Sequence, residues 1–365
     1  MQRFAADWDV LFVEGVPMRV PALARRRDRS QALRRFAPRP FIRTVAPGLH
    51  VLQPVPLPPA GRLGSALQMT VARRNVETAC RAVGLEGPRI VWFSLPNARA
   101  LRGRLGERGT VFYYQDRYDA FSGVNAERSR ADVAELARAC DVTIATSDEL
   151  HAELAGLGAK PVLVPHGVDV DHFSGDGATP PADIAHLERP LVGYVGLLDD
   201  YISFEHLRAT AAAMERGTLV LVGRANTSIE SVLDVPRVHW LGQRPYGTIP
   251  SYLQAFSCCL VPFARNRLTD GVNPIKLREY LAAGRPTVAT AMPEILPYAD
   301  VVEVADGVDD FARAVVRSLD PAVDDEQARR RRQERVAGES WDTAAAQIAP
   351  LLERALSGRV RAEVA

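Results

Sequence analysis

The sequence predicts an α/β fold made of two doubly wound domains with parallel sheets, and three patterns support this. Short β-branched and aromatic runs alternate with helical patterns along most of the 365 residues. These runs are apolar on both faces, which is typical of parallel strands covered by helices. A Gly/Pro-rich stretch without apolar periodicity, residues 174–182, separates one series of strands from the next.

The two series of strands define the expected domains. The first series is Val10–Val13, Ile90–Phe93, Val111–Tyr114, Val142–Ala145 and Val162–Val164. The second series is Leu191–Val195, Leu219–Val222, Val238–Leu241, Cys258–Val261, Thr287–Ala289 and Val301–Val304. We therefore expect domains at residues 1–173 and 187–340, joined by a linker at 174–186. A final amphipathic helix, residues 341–358, is expected to pack back on the first domain.

The start of the chain departs from the doubly wound pattern. Such a domain normally opens with a strand, a Gly-rich turn and then a helix. Here a helix-like segment, Met1–Ala6, comes first and the first strand begins at Val10. Two explanations stay open: a natural start upstream of Met1, which we favour, or a first domain without that edge element.

Composition excludes several classes of protein. Hydrophobic residues make up 47% and charged residues 24%, a soluble mixture that argues against wholesale disorder. Lys+Arg is 45 and Asp+Glu is 44, so the chain is nearly neutral and lacks the large positive charge with which many proteins attract nucleic acid. The four cysteines, Cys80, Cys140, Cys258 and Cys259, lack CxxC spacing. Neither a zinc site nor a disulfide framework is expected, and a reducing cytoplasm fits.

The most informative segment follows the predicted strand Cys258–Val261. Asn273 is a suitable N-cap, Pro274 suits the first helical turn, and Gly284 is a suitable terminator. A helix is therefore predicted over about residues 274–283. Its free N–H groups and partial positive charge would form an anion site at the carboxyl edge of the sheet.

Two charged side chains on this helix indicate what the anion is. The macrodipole disfavours a cation in the first turn, so Lys276 is more plausible there if it faces a phosphate. Glu279 lies one turn later on the same face. This spacing permits Lys to bind phosphate while Glu binds the paired hydroxyls of a sugar. The alternative is a surface i,i+3 ion pair between them.

Five passages between residues 139 and 290 occur in the order and spacing of a known family. They are Ala139–Ser147, Val164–Phe173, Leu191–Gly196, Val238–Tyr246 and Asn273–Gly284. Together they resemble the group 1, GT4-like family of bacterial GT-B glycosyltransferases. Residues 17–80 carry little of the resemblance.

The resemblance implies a GT-B fold, in which two Rossmann-like domains face each other across a cleft. The second domain would bind a nucleotide-diphosphate sugar and the first would bind the acceptor, a sugar or a lipid-linked sugar. The implied activity is that of a metal-independent hexosyltransferase without a cofactor. Cell-surface polysaccharide or glycolipid synthesis is the expected role.

The family pattern also implies the residues of the donor site. These are Gly196, Arg265, Asn273, Pro274, Ile275, Lys276 and Glu279. Glu279 matches the second acid of the family's E-x7-E motif, expected on the ribose hydroxyls. The first acid is replaced by Gly271, beside Asp270. The basic pair often found after the turn at Gly196 is missing, so Arg265 or Arg267 would supply the phosphate charge.

Acidic residues after the strand Val111–Tyr114 are candidates for catalysis in the first domain. In the family this strand's end faces the cleft, and Asp116 takes a place there. A carboxylate there would accept the acceptor hydroxyl's proton if the reaction inverts, or would orient the acceptor. Asp119 is a second candidate. Alternatively, Asp116 pairs with Arg117 or caps the following turn.

Two arginine-rich segments have different expected roles. Residues 19–43 carry nine arginines against one acid, Asp28. This patch could bind anionic lipid headgroups or a phosphorylated acceptor, or form a mobile surface loop, with nucleic acid a weaker option. We expect a cytoplasmic protein, and the basic patch suggests peripheral association with the inner face of the membrane. The run Arg329–Arg332 is expected to be a solvated helix face rather than a binding site.

Two other functions were weighed against the transferase. A non-catalytic nucleotide-sugar-binding or scaffold protein of the same fold is motivated by Gly271 and by the unusual start of the chain. An NAD-dependent oxidoreductase is disfavoured because no G-x-G-x-x-G follows any predicted strand.

Overall fold

The computed structural model describes residues 1–14, 41–53, 61–175 and 179–358. The chain divides into two compact units, Met1–Pro165 with Ala345–Ala365, and His166–Ala344. The second unit thus begins at His166, whereas the sequence placed its start at residue 187. The reason is that residues 166–173 contact the second unit: the His166 N–H donates a hydrogen bond to Asn273 at 3.2 Å, and Val168 and Phe173 are buried in the core of that unit.

Every strand predicted from the sequence is present, and two more are found. The first unit contains β1 (Val10–Val13), β2 (Ile42–Ala46), β3 (Leu49–Leu52), β4 (Arg89–Phe93), β5 (Glu107–Tyr114), β6 (Val142–Ala145) and β7 (Val162–Leu163). The second contains β8 (Leu191–Val195), β9 (Thr218–Val222), β10 (Val238–Gly242), β11 (Cys258–Val261), β12 (Thr287–Thr290) and β13 (Glu303–Ala305). The additional strands are β2 and β3.

Helices connect these strands in both units. In the first unit they are α1 (Gly61–Ala82), α2 (Ala126–Ala139) and α3 (Asp148–Gly156). In the second they are α4 (Val170–Phe173), α5 (Ala182–Ala185), α6 (Phe204–Ala213), α7 (Glu230–Leu233), α8 (Ile249–Ala255), α9 (Arg267–Asp270), α10 (Ile275–Ala282), α11 (Val308–Ser318) and α12 (Glu326–Val336). A last helix, α13 (Trp341–Ser357), runs from the second unit into the first. Among the described helices, none is both long and apolar enough to span a bilayer.

The second unit has a parallel sheet of doubly wound topology. The strand order is β10-β9-β8-β11-β12-β13 and every pairing is parallel. Numbered within the unit, this is the order 3-2-1-4-5-6, which reverses direction between β8 and β11. Ligands of such sheets bind outside the carboxyl ends of the strands at that reversal, so the fold places a site beside the ends of β8 and β11.

The core of this unit explains why its strands were easy to predict. All residues of β8, β9, β11 and β12 are buried, as expected for central parallel strands covered on both faces. Position 193 in β8 has no room for a side chain, because a Cβ on Gly193 would lie 2.0 Å from the ring of Phe256. The glycine allows helix α8 and its following residue to approach the sheet closely.

The first unit contains two sheets. The strands β4, β5, β6 and β7 pair in parallel in chain order, which matches the predicted Rossmann-like pattern. A smaller sheet has the order β1-β3-β2, with β1 parallel and β2 antiparallel to β3. Pro47 and Gly48 join β2 to β3, and Gly48 has φ +67, a conformation that favours glycine.

The carboxyl-terminal part of α13 packs within the first unit. Its apolar residues Ile348, Leu351, Leu352 and Ala355 are buried. Ala355 lies directly against Gly109 of β5, where a Cβ would be 2.7 Å from the Ala355 carbonyl oxygen. Glycine at position 109 therefore permits this close helix–strand contact.

Most of the predicted basic patch, residues 19–40, lies outside the described residues. Its last arginine, Arg43, is in β2 and forms an exposed ion pair with Glu14 at 3.1 Å. An exposed pair of this kind contributes little to stability.

Candidate functional site

The N-terminus of helix α10 lies at the carboxyl edge of the sheet, as predicted, but its N-cap is different. The N-cap residue is Pro274, and no side chain caps the helix. The predicted cap, Asn273, is 3% exposed. Its Oδ1 accepts the His166 N–H and its Nδ2 donates to Glu294. The N-cap prediction for Asn273 was therefore wrong, because both ends of its amide are used in tertiary contacts.

Tyr280 fixes α10 against the end of β8. Its buried hydroxyl donates to the Val195 carbonyl at 3.2 Å and accepts the Val195 N–H at 2.9 Å. Val195 is the last residue of β8, directly before Gly196. The helix N-terminus and the carboxyl end of β8 are thus held together by one side chain.

Lys276 extends over Gly196. A Cβ on Gly196 would lie 2.0 Å from Lys276 Cε and 2.9 Å from its Nζ. Within the described part of the chain, Lys276 makes neither a hydrogen bond nor a salt bridge, so it does not form the alternative ion pair with Glu279. The structure therefore presents an ammonium group in the first turn of α10 that has no salt-bridge partner in the described residues, although it is close enough to Glu279 to interact with it electrostatically.

Glu279 lies one turn along the same helix in a desolvated position. Burial raises the pKa of its carboxyl, while the nearby Lys276 and His172 lower it. In the described residues, no donor forms a hydrogen bond to this carboxylate. A desolvated acid without a hydrogen-bond partner is costly for a folded protein and marks a functional site.

Two glycines make room at this edge of the sheet. Gly196 follows β8 and donates its N–H to the Val222 carbonyl at 2.8 Å. Gly223 follows β9 with φ +144, and a Cβ there would be 1.7 Å from the Gly196 carbonyl oxygen. Such close approach of two strand ends leaves space above them for Lys276 and for a ligand.

Of the two arginines expected to replace the missing basic pair, Arg265 lies in an exposed loop and Arg267 is the exposed first residue of α9. Arg265 forms a 3.5 Å ion pair with Asp306, and both side chains are mostly exposed. Arg224, which was not among the predicted site residues, directly follows Gly223 and is exposed without a side-chain partner in the described residues. Its signal was its position after a predicted strand end. Arg224 is therefore a further cation at the carboxyl edge.

The residues before α10 form a short helix that the sequence did not predict. Asn266 caps α9, accepting the N–H groups of Leu268 and Thr269 at 2.9 and 3.1 Å. Gly271, at the position of the missing acid, ends α9, and Asp270 is half-buried. The spacing of Asn266 and Thr269, which form a capping box, could have predicted the start of this helix.

His166 and Arg278 lie behind α10. Burial, together with the charge of Arg278, lowers the pKa of His166 to about 4, so the imidazole is neutral at pH 7. Arg278 is 3% exposed and donates to Glu339 at 2.6 Å. The backbone N–H of His166 ties the start of the second unit to Asn273.

In the arginine run on α12, Arg330 and Arg331 are exposed as expected, whereas Arg329 and Arg332 are packed. Arg332 is 7% exposed and donates to the Gly284 carbonyl at 3.0 Å and to Asp324 at 2.6 Å. Arg329 lies against Gly284, where a Cβ would be 2.5 Å from its Cγ. The expectation of a solvated face was therefore wrong for these two arginines. Arg332 also complements the negative carboxyl-terminal end of α10.

In the first unit, Asp116 follows β5 and its environment is desolvated. Burial raises the pKa of its carboxyl to about 7. Arg117, proposed as its alternative partner, instead pairs with Glu149 at 3.0 Å and Glu153 at 3.5 Å. Nor does Asp116 cap the following turn, whose N-cap residue is Arg117. These contacts leave the carboxyl of Asp116 suited to proton transfer near neutral pH.

Asp119 is in a different situation. Its side chain is 2% exposed and accepts a hydrogen bond from Arg130 at 3.0 Å. It lies in the short 3-10 helix Tyr118–Ala120. This ion pair supports a structural role for Asp119, so Asp116 is the stronger of the two candidates for a base.

The described residues contain no group of three or more His, Cys, Asp or Glu side chains arranged to hold a metal ion. The four cysteines are free thiols. Cys258 and Cys259 are buried in β11, and burial raises the pKa of Cys258 to about 12. These thiols belong to the core.

Comparison with known proteins gives a family match within the second unit. Residues 189–320 match the family model described as "Glycosyl transferases group 1". A Bacillus subtilis (strain 168) protein named as a teichuronic acid biosynthesis glycosyltransferase, TuaH, is 28% identical over 172 residues. That match covers 45% of this chain and 43% of TuaH, which is less than half of the relative's length.

Solved structures of similar fold cover most of the chain. Sucrose-phosphate synthase from Thermosynechococcus elongatus has a TM-score of 0.71 and 19% identity, covering 97% of this chain and 90% of its own. HepE of Anabaena in complex with UDP and glucose has a TM-score of 0.62 and 16% identity, with coverage of 84% and 86%. Trehalose 6-phosphate synthase from Burkholderia multivorans has a TM-score of 0.63 and 15% identity, with coverage of 88% and 88%. The chain therefore has the GT-B fold that its sequence resembled, and residues 189–320 match the model of the group 1 glycosyltransferase family.

Proposed function

We propose that the protein moves a sugar from a nucleoside-diphosphate donor to an acceptor hydroxyl during synthesis of a cell-surface polysaccharide or glycolipid. The observation that carries this proposal is Lys276, unpaired in the described residues, lying over Gly196 one turn before Glu279. The family match and the name of TuaH support the activity and the pathway class. The HepE complex with UDP and glucose supports the class of donor.

In this proposal, the N–H groups at the start of α10 and the ammonium of Lys276 bind the diphosphate. Negative charge accumulates there as the sugar leaves, so these groups stabilise the transition state electrostatically. Glu279 would accept hydrogen bonds from the ribose hydroxyls. Tyr280 holds these groups in place before the donor arrives, which reduces the reorganisation needed during the reaction.

We propose in addition that the sugar is a hexose, and that the reaction needs no metal or cofactor because α10 supplies the positive charge. The first unit would bind the acceptor, a sugar or a lipid-linked sugar. The nine arginines of residues 19–43 support an anionic membrane surface as the place of action, reached from the cytoplasm.

The proposal is tested by mixing the full chain with UDP-, GDP- and ADP-sugars and measuring release of the nucleoside diphosphate. We expect turnover of at least one donor. In the matching binding assay, Lys276→Ala should weaken nucleoside diphosphate binding about 10- to 100-fold, because a charge-assisted contact to phosphate is lost. Nucleoside binding should change by less than about twofold.

Lys160 provides the matched control. It is the chain's other lysine and is exposed in the first unit. Lys160→Ala should bind nucleoside diphosphates like the wild type. Equal losses of nucleoside and nucleoside diphosphate affinity in Lys276→Ala would contradict the phosphate role.

A second candidate function is non-catalytic binding of a nucleotide sugar. Gly271 favours it, because the structure places a helix terminus where the family has an acid. Tight binding of a nucleotide sugar with no turnover on any donor or acceptor would establish this alternative.

The pH dependence of turnover tests Asp116 as the general base of an inverting reaction. Because the pKa of Asp116 is raised to about 7, the carboxyl is protonated below that pH and cannot accept a proton. We expect kcat/KM to fall tenfold per pH unit below about 7. Asp116→Asn should lower turnover by about 10²- to 10⁴-fold and remove this acidic limb. An unchanged limb in the variant would assign the titration to another group.

A further inference from the structure

The loop after β12 places a carboxylate beside the start of α10. Glu294 follows the carboxyl end of β12 and is half-buried. It accepts a hydrogen bond from Asn273 Nδ2, and Asn273 directly precedes the N-cap residue Pro274. The acid therefore lies at the same edge of the sheet as the proposed diphosphate site.

Both partners of this hydrogen bond are held in place. Asn273 is buried, and its Oδ1 accepts the His166 N–H. Met292 and Ile295, on either side of Glu294, are buried in the core of the second unit. The Ile295 N–H also donates to the Met292 carbonyl at 2.9 Å. The carboxylate of Glu294 therefore loses little conformational freedom when a ligand binds to it.

The order of polar groups along α10 indicates which part of a donor would reach Glu294. Glu279 is in the second turn, Lys276 is in the first turn, and Asn273 precedes the helix. An α-helix rises about 1.5 Å per residue, so Glu279 and Lys276 lie about 4.5 Å apart along its axis. In a nucleotide sugar the diphosphate joins the ribose to the sugar. With the ribose at Glu279 and the diphosphate at Lys276, the sugar is directed toward Asn273 and Glu294.

The segment before α10 contains one other acid. Asp270 is the last residue of α9 and is half-buried, whereas Gly271 has no side chain and Val272 packs against the core. Among the residues that the structure describes, none fixes the carboxylate of Asp270 by a hydrogen bond or an ion pair. Glu294 is therefore the better oriented of the two acids.

We infer that Glu294 binds hydroxyl groups of the donor's sugar and so helps to select that sugar. This inference rests on the proposed function and adds a residue that contacts the transferred group. A carboxylate can accept about four hydrogen bonds, so it can bind Asn273 and sugar hydroxyls at once. A sugar that lacks the matching hydroxyl is disfavoured, because it leaves the desolvated carboxylate without a donor.

Calorimetric titration of the full chain with UDP and with UDP-glucose separates the sugar from the nucleotide. Glu294→Gln should weaken UDP-glucose binding about 10- to 100-fold, because a charge-assisted contact to a hydroxyl is lost. UDP affinity should stay within about twofold. Glu303→Gln, at an exposed acid of β13 in the same unit, is the matched control and should bind both ligands like the wild type. If the wild type prefers GDP or ADP, the corresponding glucose donors are used.

Donors that lack one hydroxyl test the contact directly. The wild type should bind UDP-3-deoxyglucose or UDP-4-deoxyglucose about tenfold more weakly than UDP-glucose. Glu294→Gln should bind that deoxy donor and UDP-glucose with affinities within about twofold of each other. A purely structural role of Glu294 would leave the difference between the two donors intact.

Three results would overturn the assignment while leaving the proposed function in place. The first is unchanged UDP-glucose affinity in Glu294→Gln. The second is an equal loss of UDP and UDP-glucose affinity, which would show that Glu294 only supports the start of α10. The third is a loss of UDP-glucose affinity in Asp270→Asn and not in Glu294→Gln. If the wild type binds no nucleoside diphosphate, the assignment and the proposed function fail together.

Discussion

Glu279→Gln is expected to make the ligand-free protein more stable and at the same time to destroy donor binding. Burial raises the pKa of Glu279, and no described residue donates a hydrogen bond to its carboxylate. Folding therefore desolvates a charge without full compensation. The neutral amide of Gln has the same shape and avoids that cost. We expect a gain of about 1 kcal/mol in the free energy of unfolding at pH 7, the usual size of a stabilising substitution.

The difference in the pKa of Glu279 between the folded and unfolded states determines how the free energy of unfolding depends on pH. A carboxyl whose pKa is raised in the folded state binds protons more tightly there than in the unfolded chain. Its contribution to stability is complete below the unfolded pKa and is lost as pH rises through the folded pKa. The advantage of Glu279→Gln should therefore be present at neutral pH and disappear below the ordinary pKa of glutamate. Urea denaturation at several pH values measures this.

The same variant should lose function because its contacts with the ribose hydroxyls of the donor are weakened. An amide cannot accept two charge-assisted hydrogen bonds from paired hydroxyls, so donor affinity should fall about 10- to 100-fold. Glu215→Gln, at an exposed acid in the same unit, should change neither property. Wild-type donor binding and turnover in Glu279→Gln would refute the assignment of the ribose site, whatever the stability result.

The sequence predicted the second unit well because its strands are central and parallel. β8 and β11 are buried on both faces, so they form uninterrupted apolar runs with clear ends. Helix α10 was predicted to within one residue at each end, since Pro274 and Gly284 fix its limits. The position of its N-terminus then followed from the rule for doubly wound sheets.

The contacts that make α10 a site could not be predicted from the sequence. Asn273 has a side chain typical of an N-cap, but its amide oxygen accepts a hydrogen bond from His166, which is more than a hundred residues away in the sequence. Stacking of His172 on Tyr246 likewise joins distant segments. The raised pKa of Asp116 comes from burial, which depends on the packing around the end of β5. Local patterns carry no information on such contacts.

The strands β2 and β3 were missed for a local reason. In β2 the side chains of Arg43, Thr44 and Val45 are exposed, so the strand has no apolar face to detect. The Pro47–Gly48 pair was a readable turn signal between two short segments. To predict such a hairpin from sequence, the turn residues must be given more weight than the hydrophobic pattern of the strands.

A paired substitution at the two glycines of the strand ends separates binding from folding. In Gly196→Ala, the added methyl group would meet the flexible end of Lys276, 2.0 Å from Cε, and the Tyr194 hydroxyl at 2.7 Å. The lysine can swing away at modest cost. We expect the protein to fold with a loss of about 1–3 kcal/mol in stability, while nucleoside diphosphate affinity falls as far as in Lys276→Ala.

Gly223→Ala meets an obstacle that cannot move. Its methyl group would lie 1.7 Å from the Gly196 carbonyl oxygen, and the residue has φ +144, where a side chain adds strain. Relief requires separating the ends of β8 and β9, including the 2.8 Å bond from Gly196 N–H to the Val222 carbonyl. The expected loss is about 3–5 kcal/mol, a large part of the stability of a typical domain. Denaturation curves and UDP titrations of both variants test this. If Gly223→Ala is as stable as Gly196→Ala, the ends of β8 and β9 are not in rigid contact. The backbone at Gly196 would then not hold Lys276 in the fixed position that its phosphate role requires.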